Sequence, residues 1–511
     1  MISFEEYAAF DATGLAEQIA KGEFTPSEAL QAALARAETV NPQINAIVYS
    51  MADQAAKLAT SQNSDKSYSA LHGVPFLVKD LLADVKGVPT SSGSRFFKDY
   101  VPDHDSNLVA RFKAAGLNIF GKTNTPEFGI TPITDPELWG SSRNPWNLAH
   151  TPGGSSGGSA AAVSAGIVPM ASGGDGGGSI RMPSSCCGLV GLKPTRGRTP
   201  TGPDRGDLWF GMAQEHVLSR TVRDSALALD LTAGPDSGTP NIAPYPQRSF
   251  VSASLRDPIK PLRIGYTSAP MLNRESHPDC TAGVEHTVNL LQDLGHQVEE
   301  AAPIIDRELL IFHFVRVVSA DTAATIRMGG KLLGKTPTRA DFETQSWAAK
   351  KLGDAFSATD VMESWAYLQS FGREMGKLMD KYDVWLTPSA GTPPLTVGGL
   401  KASGIDKFLQ YLLATLPIEG IAKKKNFLID AGAPIYDWMS YTPLTNITGT
   451  PSMSLPLFWN SQGLPIGSCF HGRFGGEETL FELAGQLERS ISPFSVPSGT
   501  LVAGKSSFWN T

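Results

Sequence analysis

An α/β fold, with helices layered on a sheet, is predicted by two features of this sequence. Short apolar runs of strand length alternate with longer stretches of helix formers over the first 120 or so residues, and a β-α-β alternation returns at 262–299. A chain that switches repeatedly between these two patterns buries its apolar faces by packing helices on a sheet. At 511 residues it is long enough to enclose a large core.

The elements follow in order. Thr25-Pro26-Ser27-Glu28 is a capping box with proline at the first helical position, and 29–40 continues in helix formers. Asn41-Pro42 is expected to stop that helix. Residues 44–49 read as a short strand and 51–60 as a second helix. Val74-Pro75-Phe76-Leu77-Val78 reads as a buried strand whose far end delivers Lys79 to an edge or crevice. A helix over 108–115 and a strand over 117–121 come next. Later, strands at 262–266 and 296–299 flank a helix at 279–294, and 306–382 is mostly helical in pattern. A strand at 383–387, late strands at 443–456 and 467–473, and a closing helix at 479–490 complete the chain. Residues 232–260, rich in Pro, Ser and Asp, read as a surface excursion.

Composition excludes several functions. Forty-three basic residues against fifty acidic ones leave a net charge of −7, so there is no electrostatic reason to seek nucleic acid or an anionic membrane. Cys186, Cys187, Cys280 and Cys469 form no C-x-x-C pair and no Cys/His cluster, so neither a zinc site nor a disulfide framework is expected. The first residues carry acids where a signal peptide carries bases, and no run of about 18 apolar residues occurs. The expectation is a soluble, cytoplasmic protein with no nucleic-acid or membrane partner.

Residues 151–195 are dense in glycine and serine yet enclose apolar runs at 160–163 and 167–170, so they should fold instead of acting as a linker. No phosphate-loop pattern occurs there. G-x-S-x-G does occur at 153–157, but a nucleophile elbow needs a buried strand before it, and 147–152 makes a poor one. What remains is a place where backbone N–H groups point inward with no side chains in the way, as an oxyanion hole demands.

GGSSGGSAAAV, GGDGGGSIRMP and CGLVGLKPT resemble, in order and spacing, the amidase signature family. GVPFLVKD at 73–80, GKTNTPEFG at 121–129, NITGTP at 446–451 and GLPIG at 463–467 match further blocks of that family, so agreement spans roughly 25–490. The later half is similar to the branch that opens cyclic nylon oligomers. The resemblance implies the amidase signature fold: a central, mostly parallel, mixed and twisted sheet covered by helices on both faces. It further implies one domain over 1–511, with a signature core at about 70–230 and a helical substrate-covering section at about 306–440.

By motif position the resemblance makes Ser179 the nucleophile, Ser155 a bridging serine held by a cis Gly154–Ser155 peptide, and Lys79 the base. A serine hydroxyl is a poor nucleophile until a base takes its proton, and with no histidine in the signature a neutral lysine must do so. The N–H groups of Gly176, Gly177 and Gly178 are expected to meet the oxyanion. Asp175 and Arg181 are expected to brace that turn, and Ser156 to be structural. Gly176 departs from the family, which often has threonine or another branched residue there. His150 is not expected to act as base, and His72, Cys186 and Cys187 read as packing residues. Trp139, Trp146, Trp347 and Trp365 are better read as core than as pocket.

Specificity is expected from the loop after Asn124 and from 306–440, where Phe312, Phe314, Trp347, Trp365, Phe371, Phe408 and Tyr411 suggest an apolar channel. The implied partner is a small-molecule amide, such as a linear or cyclic apolar one, with no cofactor and no metal, in a monomer or homodimer. The alternative is a glutaminase subunit of a tRNA-dependent amidotransferase complex.

Overall fold

The computed structural model describes residues 2–65, 69–400, 424–504 and 506–510. Eleven strands form one sheet: β1 Ile47–Ser50, β2 Pro75–Lys79, β3 Asn118–Thr123, β4 Met170–Asp175, β5 Val190–Lys193, β6 Gln214–Ser219, β7 Arg263–Tyr266, β8 Gln297–Glu300, β9 Val384–Pro388, β10 Ser452–Trp459 and β11 Pro465–Gly472. Their spatial order is β1-β3-β2-β4-β6-β5-β10-β11-β9-β7-β8. The α/β class and the mixed sheet are as expected, but the expected excess of parallel pairs is not: β2 with β3 and β4, and β7 with β8 and β9, are parallel, and the other six pairs are antiparallel. Connection length is the reason. Helices Asn107–Ala114 and Pro278–Asp293 give the crossovers that parallel neighbours β2/β3 and β7/β8 need, whereas a tight turn at 460–463 joins β10 to β11.

Helices cover both faces. On β11, Gly467 lies against Ser185 of the helix Arg181–Cys187, while the next residue, Ser468, bonds Thr287 of the helix Pro278–Asp293 at 2.7 Å. Successive strand residues face opposite sides, so these two helices do as well. Helices Arg307–Leu333, Thr344–Ala355, Ala358–Lys381 and Lys425–Trp438 lie in the described part of the helical section, and all but Thr344–Ala355 pack a second apolar cluster with β9. Arg307–Leu333 is long and apolar enough, by length and composition, to cross a membrane, which the sequence reading had not expected. Its buried residues Leu310, Ile311, Phe314 and Val317 belong to that second cluster, the behaviour of a core helix.

Two expected boundaries move. The first long helix runs over Pro26–Ile44 and carries Pro42 inside its last turn. Its end is set instead by Asn45 in the left-handed region, φ 47°, while the Asn41 side chain accepts from the N–H groups of Ala46 and Ile47. The expected strand at 443–456 is instead a helix, Pro443–Thr448, ended by Gly449 at φ 77°, and only then β10. That helical turn puts Thr445 and Asn446 on one side, where both reach Arg181.

The fold places the chemistry at one edge. β2 and β4 are parallel neighbours, so Lys79, last in β2, and Asp175, last in β4, emerge together at the carboxyl ends, where open sheets form their crevices. The helix Gly157–Ser164 is buried all round, and Gly158 lets it approach the backbone at Asn124: a Cβ there would lie 2.4 Å from the Asn124 nitrogen.

Candidate active site

Lys79 ends a fully buried strand and is itself 2% exposed. Its Nζ donates to Ser155 Oγ at 2.7 Å and to the Gly174 carbonyl at 3.4 Å. Ser155 follows the cis peptide Gly154–Ser155. Ser156 next to it ties the start of the helix Gly157–Ser164 to β4 and to the Ser179 turn: its hydroxyl donates to the Gly174 carbonyl and accepts from the Gly174 N–H, both at 3.2 Å, and its own N–H donates to the Ser179 carbonyl.

The turn after β4 is set by a buried ion pair. Arg181 Nε and a terminal nitrogen donate to the two oxygens of Asp175 at 2.9 and 2.7 Å, with both side chains fully buried. Its remaining donors go to the Thr442 carbonyl, Thr445 Oγ1, Ser452 Oγ and Asn446 Oδ1. Burial alone would raise the Asp175 carboxyl, but the Arg181 charge and the hydrogen bonds from Arg181 and Asn446 outweigh it and hold the group below the usual carboxylate range. Asp175 in turn accepts from the N–H groups of Gly178 at 2.8 Å and Ile180 at 3.1 Å.

Those bonds correct the expected oxyanion trio. The Gly178 N–H is already spent on Asp175, so Gly178 serves the turn through its φ of +137°, a conformation that L side chains rarely adopt. Gly176, Gly177 and Ser179 keep N–H groups that no described residue accepts. Replacing Arg181 with alanine would strand the Asp175 charge in a dry interior. It is expected to lower stability by about 3–5 kcal/mol, read as a drop in the guanidinium midpoint. A loss under about 1 kcal/mol would show the turn to be braced elsewhere.

Sequence reasoning missed Glu215. The β4–β6 register sets it opposite Gly174, and it is 7% exposed. A Cβ built on Gly174 would be 3.6 Å from Glu215 Cγ and 4.0 Å from Lys79 Nζ, so both side chains flank one glycine. Burial pushes Lys79 down to about 7, with the charges of Glu215 and Asp175 pulling the other way. Burial pushes Glu215 up to about 8, opposed by the Lys79 charge. At about 8, Glu215 is mostly protonated where Lys79 titrates, so Glu215→Gln, which resembles that neutral form, should leave the acid limb of kcat/KM within a few tenths of a pH unit. A limb lowered by about a full unit would instead show an anionic Glu215 beside Lys79.

Two cavities open from Ser179. One, about 230 Å³, is walled mainly by Phe314, Val315, Val318, Leu352, Ile435 and Tyr436, with Gly129 to Pro132 at its rim. The other, about 520 Å³, holds Lys79, Ser155, Gly174 to Gly176, Asp84 and Glu215. The loop after Asn124 therefore reaches the site as expected. Of the expected channel aromatics only Phe314 lines a cavity; Phe312 and Phe371 pack in the core, Trp347 and Trp365 stack on Phe342 and Phe210, and Phe408 and Tyr411 lie outside the described residues. His150 lines neither cavity, and Cys186 and Cys187 are core thiols. Trp209, which nothing in the sequence singled out, lines both.

Known proteins resemble this chain over nearly its whole length. A family model described as Amidase matches residues 28–481. A 6-aminohexanoate-cyclic-dimer hydrolase of Pseudomonas sp. (strain NK87) is 34% identical over 490 residues, 94% of each chain. An acylamidase of Rhodococcus erythropolis is 31% identical over 96% of this chain and 98% of its own. The solved structure of a 6-aminohexanoate cyclic dimer hydrolase complexed with substrate superposes with a TM-score of 0.84 at 32% identity, covering 94% of this chain and 97% of that one.

Proposed function

Because this chain belongs to the amidase signature family, hydrolases that act on amide C–N bonds, we propose that it cleaves an apolar carboxamide through an acyl-enzyme on Ser179. Ser179 Oγ attacks the carbonyl carbon while its proton passes to Ser155 and from there to Lys79. The oxyanion is met by the N–H groups of Gly176 and Gly177, with that of Ser179 beside them, each donor of this kind being worth about 2.7–4 kcal/mol of barrier. The proton returns through Ser155 to the leaving nitrogen, and water then releases the acid by the same path.

The observation that carries the reading is the bond of 2.7 Å from a buried lysine amine, poised near 7, to Ser155 Oγ beside the free N–H groups of the Ser179 turn. An amine half deprotonated at neutral pH is a competent base, whereas an ordinary surface lysine is not.

The substrate we propose is a linear or cyclic amide with apolar flanks, 6-aminohexanoate cyclic dimer among them. The aliphatic and aromatic wall beside Ser179 supports this, as do the activities for which the relatives are named. That wall suits glutamine poorly, since a glutaminase must also hold an ammonium and a carboxylate. The purified chain, assayed alone on cyclic dimer, hexanoyl p-nitroanilide and glutamine, is expected to turn over at least one of the first two and to leave glutamine intact. Glutamine turnover with no hydrolysis of the others would reverse the assignment.

A further inference from the structure

Four residues, Gly129, Ile130, Ser179 and Trp209, line both cavities, so the nucleophile stands where the two meet. Trp209 fills the space left by the unusual glycine: a Cβ built on Gly176 would come within 2.7 Å of its Cζ3. The indole Nε1 donates to Asp321 Oδ2 at 3.0 Å on the helix Arg307–Leu333, and the ring meets Phe314 edge-on at 6.3 Å. Trp209 and Phe210 have φ values of 51° and 54°, a region bulky side chains rarely adopt, and Phe210 is stacked on Trp365 at 4.9 Å. Such a conformation persists only where its surroundings fix it, and here they fix the ring between the cavities.

We propose that Trp209, seated on Gly176 and tied to Asp321, is the specificity-determining partition of the site, dividing an apolar cavity for the acyl half of the amide from a larger one, holding Lys79, Asp84 and Glu215, for the amine half. The assignment of halves rests on the amidase reading and on proton balance. As the C–N bond breaks, the departing nitrogen takes a proton from Ser155, backed by Lys79, and both line only the larger cavity. The acyl carbon stays on Ser179, so its substituent occupies the other side. A cavity of about 150 Å³ already holds benzene, so one of about 230 Å³ takes an acyl group of modest length and favours it over a long chain.

The test compares p-nitroanilides of hexanoic and dodecanoic acid, which share one amine half. Trp209→Ala opens the partition and is expected to raise the dodecanoyl-to-hexanoyl ratio of kcat/KM roughly tenfold or more. Trp209→Phe keeps a ring but loses the bond to Asp321, and should move the ratio the same way by about threefold. Gly176→Thr with Trp209 intact should cost roughly a hundredfold on both substrates, and adding Trp209→Ala should recover about tenfold, because the clash is with that ring. Gly176→Ala is the milder form of the same cycle, and thermal unfolding reports whether each variant folds. An unchanged ratio in both Trp209 variants, or strictly additive losses in the cycle, overturns the partition while leaving the amidase reading intact. An inert wild type on every amide overturns both.

Discussion

Ser179→Ala is expected to leave a folded protein that hydrolyses amides at least about 10⁴-fold more slowly. The fold should survive because the turn is held by other groups. Asp175 keeps the N–H groups of Gly178 and Ile180, and the residue 179 carbonyl still accepts from Ser156. No described residue relies on the Ser179 hydroxyl. What disappears is the only oxygen on that turn able to form the acyl bond, and residual turnover would come from water held beside the donors. Steady-state rates with an anilide measure the loss, and intact-protein mass after quenching a slow substrate measures the bond itself. Wild type should gain the acyl mass and the variant should not. Turnover within about tenfold of wild type would remove Ser179 from the chemistry.

Lys79→Met carries the second large effect, a loss of roughly 10³–10⁴-fold, because the methionine keeps the buried volume but cannot accept a proton. The pH profile gives the sharper reading. With Lys79 held near 7, lower pH fills it with a proton and blocks the relay, so wild-type kcat/KM should climb as pH rises through 7 and level off above it. In the variant that limb should vanish from whatever activity remains. A wild-type rate that fell between pH 6 and 8 would contradict a neutral amine as the working form.

Much of the proposed reacting set was legible in the sequence because it is carried by contiguous motifs. Ser155, Ser156 and Ser179 lie in one glycine-rich stretch, and Lys79 ends an apolar run that reads as a buried strand. The helices over 279–294 and 479–490 and the strands over 117–121 and 262–266 were equally visible, since local periodicity reports local burial. Residues 443–448 were misread for the opposite reason. Thr445 and Asn446 look like extended or loop residues, yet their side chains are recruited by Arg181, more than 260 positions away, and that demand imposes a helical turn. The balance of parallel and antiparallel pairs was likewise invisible, because strand order depends on partners distant in the chain.

The sequence by itself determined which residues are candidates for the chemistry and where most strands and helices lie, because those follow from side-chain chemistry and from neighbours a few residues away. Only the tertiary structure decided that Gly178 gives its N–H to Asp175, that Lys79 sits buried beside Glu215, and that Trp209 occupies the room Gly176 leaves. Free donors, proton affinity and cavity shape are each set by every atom packed around a point, and those atoms arrive from all parts of the chain.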